Sequence, residues 1–273
     1  MRSEVFDLPS GLQLEMRGTG LAEENVLATA DRRNNDEMLD RVFAACFKAT
    51  VEPGPYDIKN GAAPVWGSLL QCDRFVLMIK LRCLSYVDGH LYEIDAHHDE
   101  CDMRFPWEVD LKEDLPIRKL TEDAVERVKT GQPFECNVGG KLVKYKLPTV
   151  KDMALSEKLQ EQFPERAMAA MLRARLVEVE GVEKRDWMEW LDGANGESTK
   201  FKGLDSDEAE ALRDAYDLSD GGVDTEIEIT CKRVSCRQRF VQQLPFDQGF
   251  LLPARGIRAR KRARRLGKES SDD

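Results

Sequence analysis

The chain has 273 residues, 41% of them hydrophobic and 34% charged, with a formal net charge of −10. That is the composition of a charge-rich globular protein, long enough to bury a core in one large domain or two small ones. No run of about eighteen apolar residues occurs, which excludes a membrane-spanning helix. The most apolar stretch, "FVLMIKLRCL" at 75–84, is broken by Lys80 and Arg82. The N-terminal "MRSEVFDLPSG" has no basic start followed by an apolar run, so no secretory signal is expected. The expected location is a cytoplasm, or a larger particle assembled in one.

In chain order, "VFDLPSGLQLEMRG" alternates Leu12, Leu14 and Met16 after a Pro-Ser-Gly turn and predicts a β-hairpin. Residues 19–47 predict a helix that buries Leu39, Val42, Phe43 and Cys46. Residues 51–67, rich in Pro and Gly, predict a loop. "DRFVLMIKLRCLSY" predicts a helix with Phe75, Met78, Ile79, Arg82 and Cys83 on one face. "DGHLYEIDAHHDECDMRFPWEVDL" predicts two strands around a tight polar turn. Residues 112–132 predict a charged connection with one short helix. "PFECNVGGKLVKYKLPT" is a second hairpin, with Val143, Tyr145 and Leu147 alternating. Residues 151–181 predict helix, with Pro164 at a break or a new first turn. "EKRDWMEWLDG" and "SDEAEALRDAYDLSD" predict two further helices, the second capped by Ser206. The last predicted strands flank "TCKRVSCRQ".

The two halves repeat one order: hairpin, helices, strand, knuckle, return strand. "EIDAHHDECDMRFPWEVDL" (93–111) aligns with "EIEITCKRVSCRQRFVQQLPF" (226–246), placing Cys101 on Cys236, Phe105 on Phe240 and His98 on Cys231. The expected fold is therefore α+β and internally duplicated. Each of its two lobes holds a β-hairpin, helices and a knuckle-bearing strand pair, and the lobes join at a zinc-ribbon-like site. The expected boundaries are an N-terminal lobe at 1–111, a connection at 112–132, a C-terminal lobe with the second knuckle at 133–253, and a basic tail at 254–273.

Seven cysteines are odd in number and sit in a chain too long to need stapling, which excludes a secreted disulfide scaffold. Cys46, Cys72, Cys83 and Cys136 stand among apolar neighbours and read as small buried hydrophobes. The remaining three, with a histidine, have the spacing of metal ligands: His98-x-x-Cys101 and Cys231-x-x-x-x-Cys236. Zinc takes four nitrogen or sulfur ligands in a tetrahedron, commonly from pairs on tight turns. Strand alternation selects His98, which shares a face with Ile94 and Ala96, and turns His97 away. A closed structural site joining the two halves is expected. The alternatives are a Cys101–Cys236 contact or disulfide, and apolar packing beneath exposed histidines.

No catalytic set can be assembled. "HDE" at 98–100 with a later cysteine pair shares part of the zinc-deaminase pattern, but no proline precedes Cys231 and the second spacing is four rather than two. "VGGK" at 138–141 lacks the rest of a phosphate loop and reads as a hairpin turn. His90 beside Gly89 is expected to be exposed. Residues 255–268 contain eight basic residues and no acid, so with Glu269, Asp272 and Asp273 the tail carries +5 and the rest of the chain −15. An acidic body with a basic tail points to docking on an acidic surface such as a neighbouring copy. Without interleaved aromatics the tail is a poor nucleic-acid reader.

Four segments, "LPSGLQLEMRGTGLAEENVL", "LLQCDRFVLMIKLRCLSY", "VDTEIEIT" and "LPFDQGFLLP", resemble the T-even-like baseplate proteins of contractile-tailed bacteriophages. The resemblance spans most of residues 5–253. Similar proteins carry Cys-x-x-Cys pairs where this chain has His98/Cys101 and Cys231/Cys236. The resemblance implies a non-enzymatic structural component or assembly factor of a tail baseplate. It would bind other baseplate proteins in symmetric copies, in the virion or in the host cytoplasm during assembly. The alternative is a zinc-dependent nucleic-acid-binding regulator that uses the basic tail.

Overall fold

Two three-stranded antiparallel sheets, each closed by a strand that returns after a pair of helices, carry the two halves of the chain. A computed structural model describes residues 2–29, 35–59, 61–193, 200–244, 246 and 248–252; the basic tail lies outside them. In the first sheet β1 (Ser3–Asp7) and β2 (Leu12–Arg17) form the expected hairpin. Its turn ends at Gly11, whose φ of +85° suits a residue without a Cβ. Leu12, Leu14 and Met16 alternate inward and are fully buried.

Two expectations fail here for related reasons. The helix expected over 19–47 divides into α1 (Leu21–Ala28) and α2 (Asn35–Cys46), and the chain passes from Cys46 straight into strand β3 (Phe47–Pro53). β3 pairs with β2 from Phe47, where the helix was expected to end, to Pro53, inside the expected loop. In the second half, β6 (Phe134–Val138) and β7 (Lys141–Tyr145) form the expected hairpin across Gly139 and Gly140. Both glycines have positive φ, +59° and +73°, as a two-residue type I′ turn requires. The helix expected over 151–181 ends earlier, after α5 (Val150–Gln162), a 3-10 turn opened by Pro164 and α6 (Ala167–Arg173). It is followed by β8 (Leu176–Val179), which pairs with β7. β3 and β8 are short edge strands, and β8 buries Leu176 and Val179 in the core of the second half. Only Thr50 of β3 is buried, so no apolar alternation marks that strand in sequence.

α3 (Gln71–Ser85) is buried on almost every side. Besides Met78, Ile79 and Arg82 of the expected stripe it buries Val76, Leu77 and Leu81, leaving Phe75 and Cys83 half-buried. Three of its charged residues tie it to separate parts of the chain. Asp73 accepts hydrogen bonds from the Ser10 amide (3.0 Å), the Ser10 hydroxyl (2.6 Å) and the Tyr56 hydroxyl (2.5 Å). Arg74 pairs with Asp36 and Asp40 on α2. Arg82 donates to the carbonyls of Phe250 and Leu252 and lies over the rings of Tyr92 and Phe250.

After α3 come β4 (Leu91–His98) and β5 (Met103–Asp110), then α4 (Glu122–Thr130) within the connection. The second half continues with α7 (Trp187–Asp192), α8 (Ser206–Ser219), β9 (Glu226–Thr230) and β10 (Arg239–Gln243). The cap of α8 is Asp205 rather than Ser206: its side chain accepts the Glu208 amide, and the Glu208 side chain accepts the Asp205 amide. The architecture is thus mixed α+β with small antiparallel sheets.

The packing departs from the expected lobe limits. The second core cluster gathers Val143, Leu176, Trp187, Trp190, Leu212 and Tyr216. Ile227, Ile229 and Cys231 of the second knuckle, with Phe250 and Leu251, pack instead into the first cluster beside Ile94, Ala96 and Phe105. From Val223 onward the chain returns to the first half to complete its core.

Asp73 is fully buried, and removing its carboxylate strands two hydroxyls and one amide. Asp73→Ala should lower unfolding free energy by about 3 kcal/mol, measured by urea denaturation followed through tryptophan fluorescence. An unchanged midpoint would show that this network contributes nothing to stability.

Candidate metal centre

His98 ends β4, and the pleat sets it inward with Ile94 and Ala96 while His97 faces out. A 3-10 turn (Asp99–Cys101) follows, and Asp102 takes the left-handed conformation, φ +48°. The chain thereby doubles back and brings the Cys101 sulfur to 3.1 Å from His98 Nδ1. In the second knuckle Ile227 and Ile229 point inward and Cys231 continues their face. The Cys231 amide donates to Gln238 at 2.9 Å, extending the ladder by one step. Arg237, directly after Cys236, is also left-handed, φ +50°. Asp102 and Arg237 are the only non-glycine residues with positive φ among the described residues. Each holds the conformation a glycine would take more easily.

The registers of the two hairpins coincide. Ala96 faces Phe105 across β4–β5, and Ile229 faces Phe240 across β9–β10. His98 and Cys231 therefore stand at the same step beyond equivalent pairs, and the second loop is longer by two residues.

All four expected ligands come together: one ligand atom each from His98, Cys101, Cys231 and Cys236 lies within 4.8 Å of the others. Cys101 and Cys231 sulfurs are 3.6 Å apart, and the Cys236 sulfur is 3.6 Å from His98 Nδ1. A tetrahedral ion with zinc–sulfur and zinc–nitrogen bonds of ordinary length would set sulfurs ~3.8 Å apart and sulfur and nitrogen ~3.5 Å apart. The donor set thus has the size and chemistry to bind a metal ion. All seven cysteines are unbridged in this structure.

His98 and Cys231 are buried, 4% and 2% exposed, while Cys101 and Cys236 are half-buried. Phe240 stacks on the His98 ring at 4.8 Å, and Phe105 meets Phe240 edge-on. The second knuckle also grips the first hairpin directly. Arg233 donates to the Cys101 carbonyl (3.0 Å), and Lys232 donates to the Pro106 carbonyl from above the rings of Phe105 and Trp107. Gln242 on β10 accepts from the His97 amide and donates to the Asp95 carbonyl, joining the two hairpins edge to edge. Phe240 was marked by its spacing from Cys236. Gln242, Lys232 and Arg233 carry no signal in sequence.

His97 stays outside the cluster, with Nδ1 3.1 Å from Asp99 and Nε2 2.9 Å from Asp102. His90 is half-buried beside Asp110 rather than exposed. Desolvation opposes ionisation of Cys101, but hydrogen bonds from His98 and the neighbouring thiols outweigh it and bring its pKa down to about 7. Desolvation, with the adjacent Cys101 and Cys236, raises that of Cys231. Burial lifts the thiols of Cys46 (to about 12), Cys72, Cys83 and Cys136, which lie away from the cluster. "VGGK" forms the β6–β7 turn.

No protein-family model, curated protein or solved structure matches the chain.

Metal ligation requires thiolates, so binding releases protons and weakens as the pH falls. With Cys101 titrating near 7 and Cys231 above the ordinary thiol range, metal affinity should drop steadily on acidification from pH ~8 to ~6. Competition with a chromophoric chelator measures this. His97→Ala should leave the affinity within a few-fold of wild type, whereas His98→Ala should lower it by at least about tenfold.

Proposed function

We propose that this protein is a non-enzymatic binding protein built around a structural zinc held by His98, Cys101, Cys231 and Cys236. It serves as a structural component or assembly factor of a contractile phage tail baseplate. The observation that carries the zinc assignment is the convergence of three sulfurs and one imidazole nitrogen within 4.8 Å. Such a soft, four-donor set suits zinc and leaves no ligand position for a reacting water. That favours a structural role over catalysis.

The metal ties two similar halves together. Supporting a duplication are the shared element order, the matching hairpin registers and the left-handed residue after each second cysteine. The baseplate assignment rests on the four segments that resemble T-even-like baseplate proteins, and other baseplate proteins are then its partners.

Elemental mass spectrometry of protein purified without chelator should find about one zinc per chain. Cys231→Ser should lose it and melt at a lower temperature. Metal-free wild-type protein with an unchanged melting temperature after zinc addition would sink the clamp. For the assembly role, the tagged protein should co-purify with tail proteins from phage-infected cells. Presence in purified particles identifies a component, and presence only in lysate an assembly factor. Recovery of the protein without any tail protein overturns the baseplate reading.

A further inference from the structure

A groove of about 1000 Å³ runs between the C-terminal half of α3, strand β1 and the segment after β5. Phe6, Ile79, Leu84, Leu115 and Ile117 make its apolar lining. Arg2, Lys80 and Lys112 stand along it against a single acid, Glu4. None of the three cations is in an ion pair with a described residue. A basic, apolar groove is an unusual feature on a chain with a net charge of −10. It suits an acidic amphipathic helix.

The chain itself presents such a helix. α8 buries Leu212 and Tyr216 against the second core cluster. The opposite face carries Asp207, Glu210, Asp214 and Asp217 around Ala211 and Leu218, and Leu218 is 84% exposed. None of these four acids is in an ion pair with a described residue. They stand three or four positions apart, where like charges weaken a helix by a few tenths of a kcal/mol per pair. Asp217 lies in the last turn, which has no basic residue and where the helix dipole disfavours a negative charge. Among the described residues Arg213, three positions after Glu210 and four before Asp217, offsets only part of this cost and leaves Asp207 and Asp214 without a cation at helical spacing. A cationic partner surface would offset the rest.

We propose that the acidic face of α8 in one copy of this chain docks into the basic groove beside α3 of the next. Within one chain the groove and α8 belong to different core clusters, and α8 does not line the groove. The contact is therefore heterologous: it builds a ring if the rotation closes and an open filament if it does not. It requires no metal, so its failure and that of the zinc clamp are separable.

Multi-angle light scattering on the full-length chain at low and high salt tests it. The wild type should form species larger than the monomer at low salt and lose them at high salt. Lys80→Glu with Lys112→Glu, and separately Glu210→Lys with Asp214→Lys, should each give monomers. Zinc content and melting temperature read alongside confirm that the variants fold like wild type. Mixing the two variants restores opposite charge at every contact and should restore assembly. A wild type that stays monomeric overturns the proposal, as does assembly that neither reversal disturbs. Variants that remain monomeric when mixed also overturn it and assign the groove to another acidic partner. If removing the tail beyond residue 252 abolishes assembly while α8 reversal does not, the tail and not α8 makes the contact.

Discussion

The hairpins bearing His98–Cys101 and Cys231–Cys236 must meet edge to edge for this fold to exist, although Cys101 and Cys231 are 130 residues apart. A cross-link over that distance restricts the unfolded chain by about 5 kcal/mol on a chain-entropy account. The protein does not leave the meeting to the ligands alone. Gln242 spans the two strand edges, Lys232 and Arg233 reach from one knuckle to the backbone of the other, and Phe240 covers the histidine. These contacts fix where the four donor atoms stand. A pre-set geometry reduces the ordering that a metal would have to impose.

α3 is the second element on which the structure turns. A helix buried on almost every side needs partners for every charge it carries inward. Asp73 is matched by Ser10 and Tyr56, Arg74 by Asp36 and Asp40, and Arg82 by main-chain carbonyls near residue 250. Each pairing joins α3 to a different part of the chain: the first turn, α2 and the last described segment. Burial raises the Asp73 pKa against the pull of its hydrogen bonds. Its value therefore lies in fixing position rather than in net charge stabilisation. Because the last segment and the second knuckle both pack into the first core cluster, the second half of the chain closes over the first.

Elements with strong local signals were legible in the sequence. The hairpins at residues 3–17 and 134–145 were marked by alternation and by glycines at turns that require positive φ. Pro164 marked the break between α5 and α6. The strands that complete each sheet were not legible: Phe47–Pro53 runs straight on from helical sequence and buries only Thr50, and Leu176–Val179 is four residues long with only its two end residues buried, too short to show an alternation. Their conformation comes from the exposed edges of β2 and β7. Nor did the breadth of burial around α3 follow from its own spacing, since neighbours on every side decide it.

The ligand set shows the same division. Residue type and strand period were enough to choose His98 over His97 and to pair it with Cys101, because the pleat alternates with a period of two whatever surrounds it. Aligning the knuckles likewise placed Cys231 beside His98's counterpart position. The sequence alone therefore determined which four side chains were candidate ligands and that His98 and Cys231 continue the inward faces of their strands. Only the tertiary structure decided that the four atoms share one tetrahedron-sized space, that Gln242 and Lys232 brace it, and that the second knuckle completes the first core. Those outcomes depend on contacts between residues more than a hundred positions apart, which no local pattern encodes.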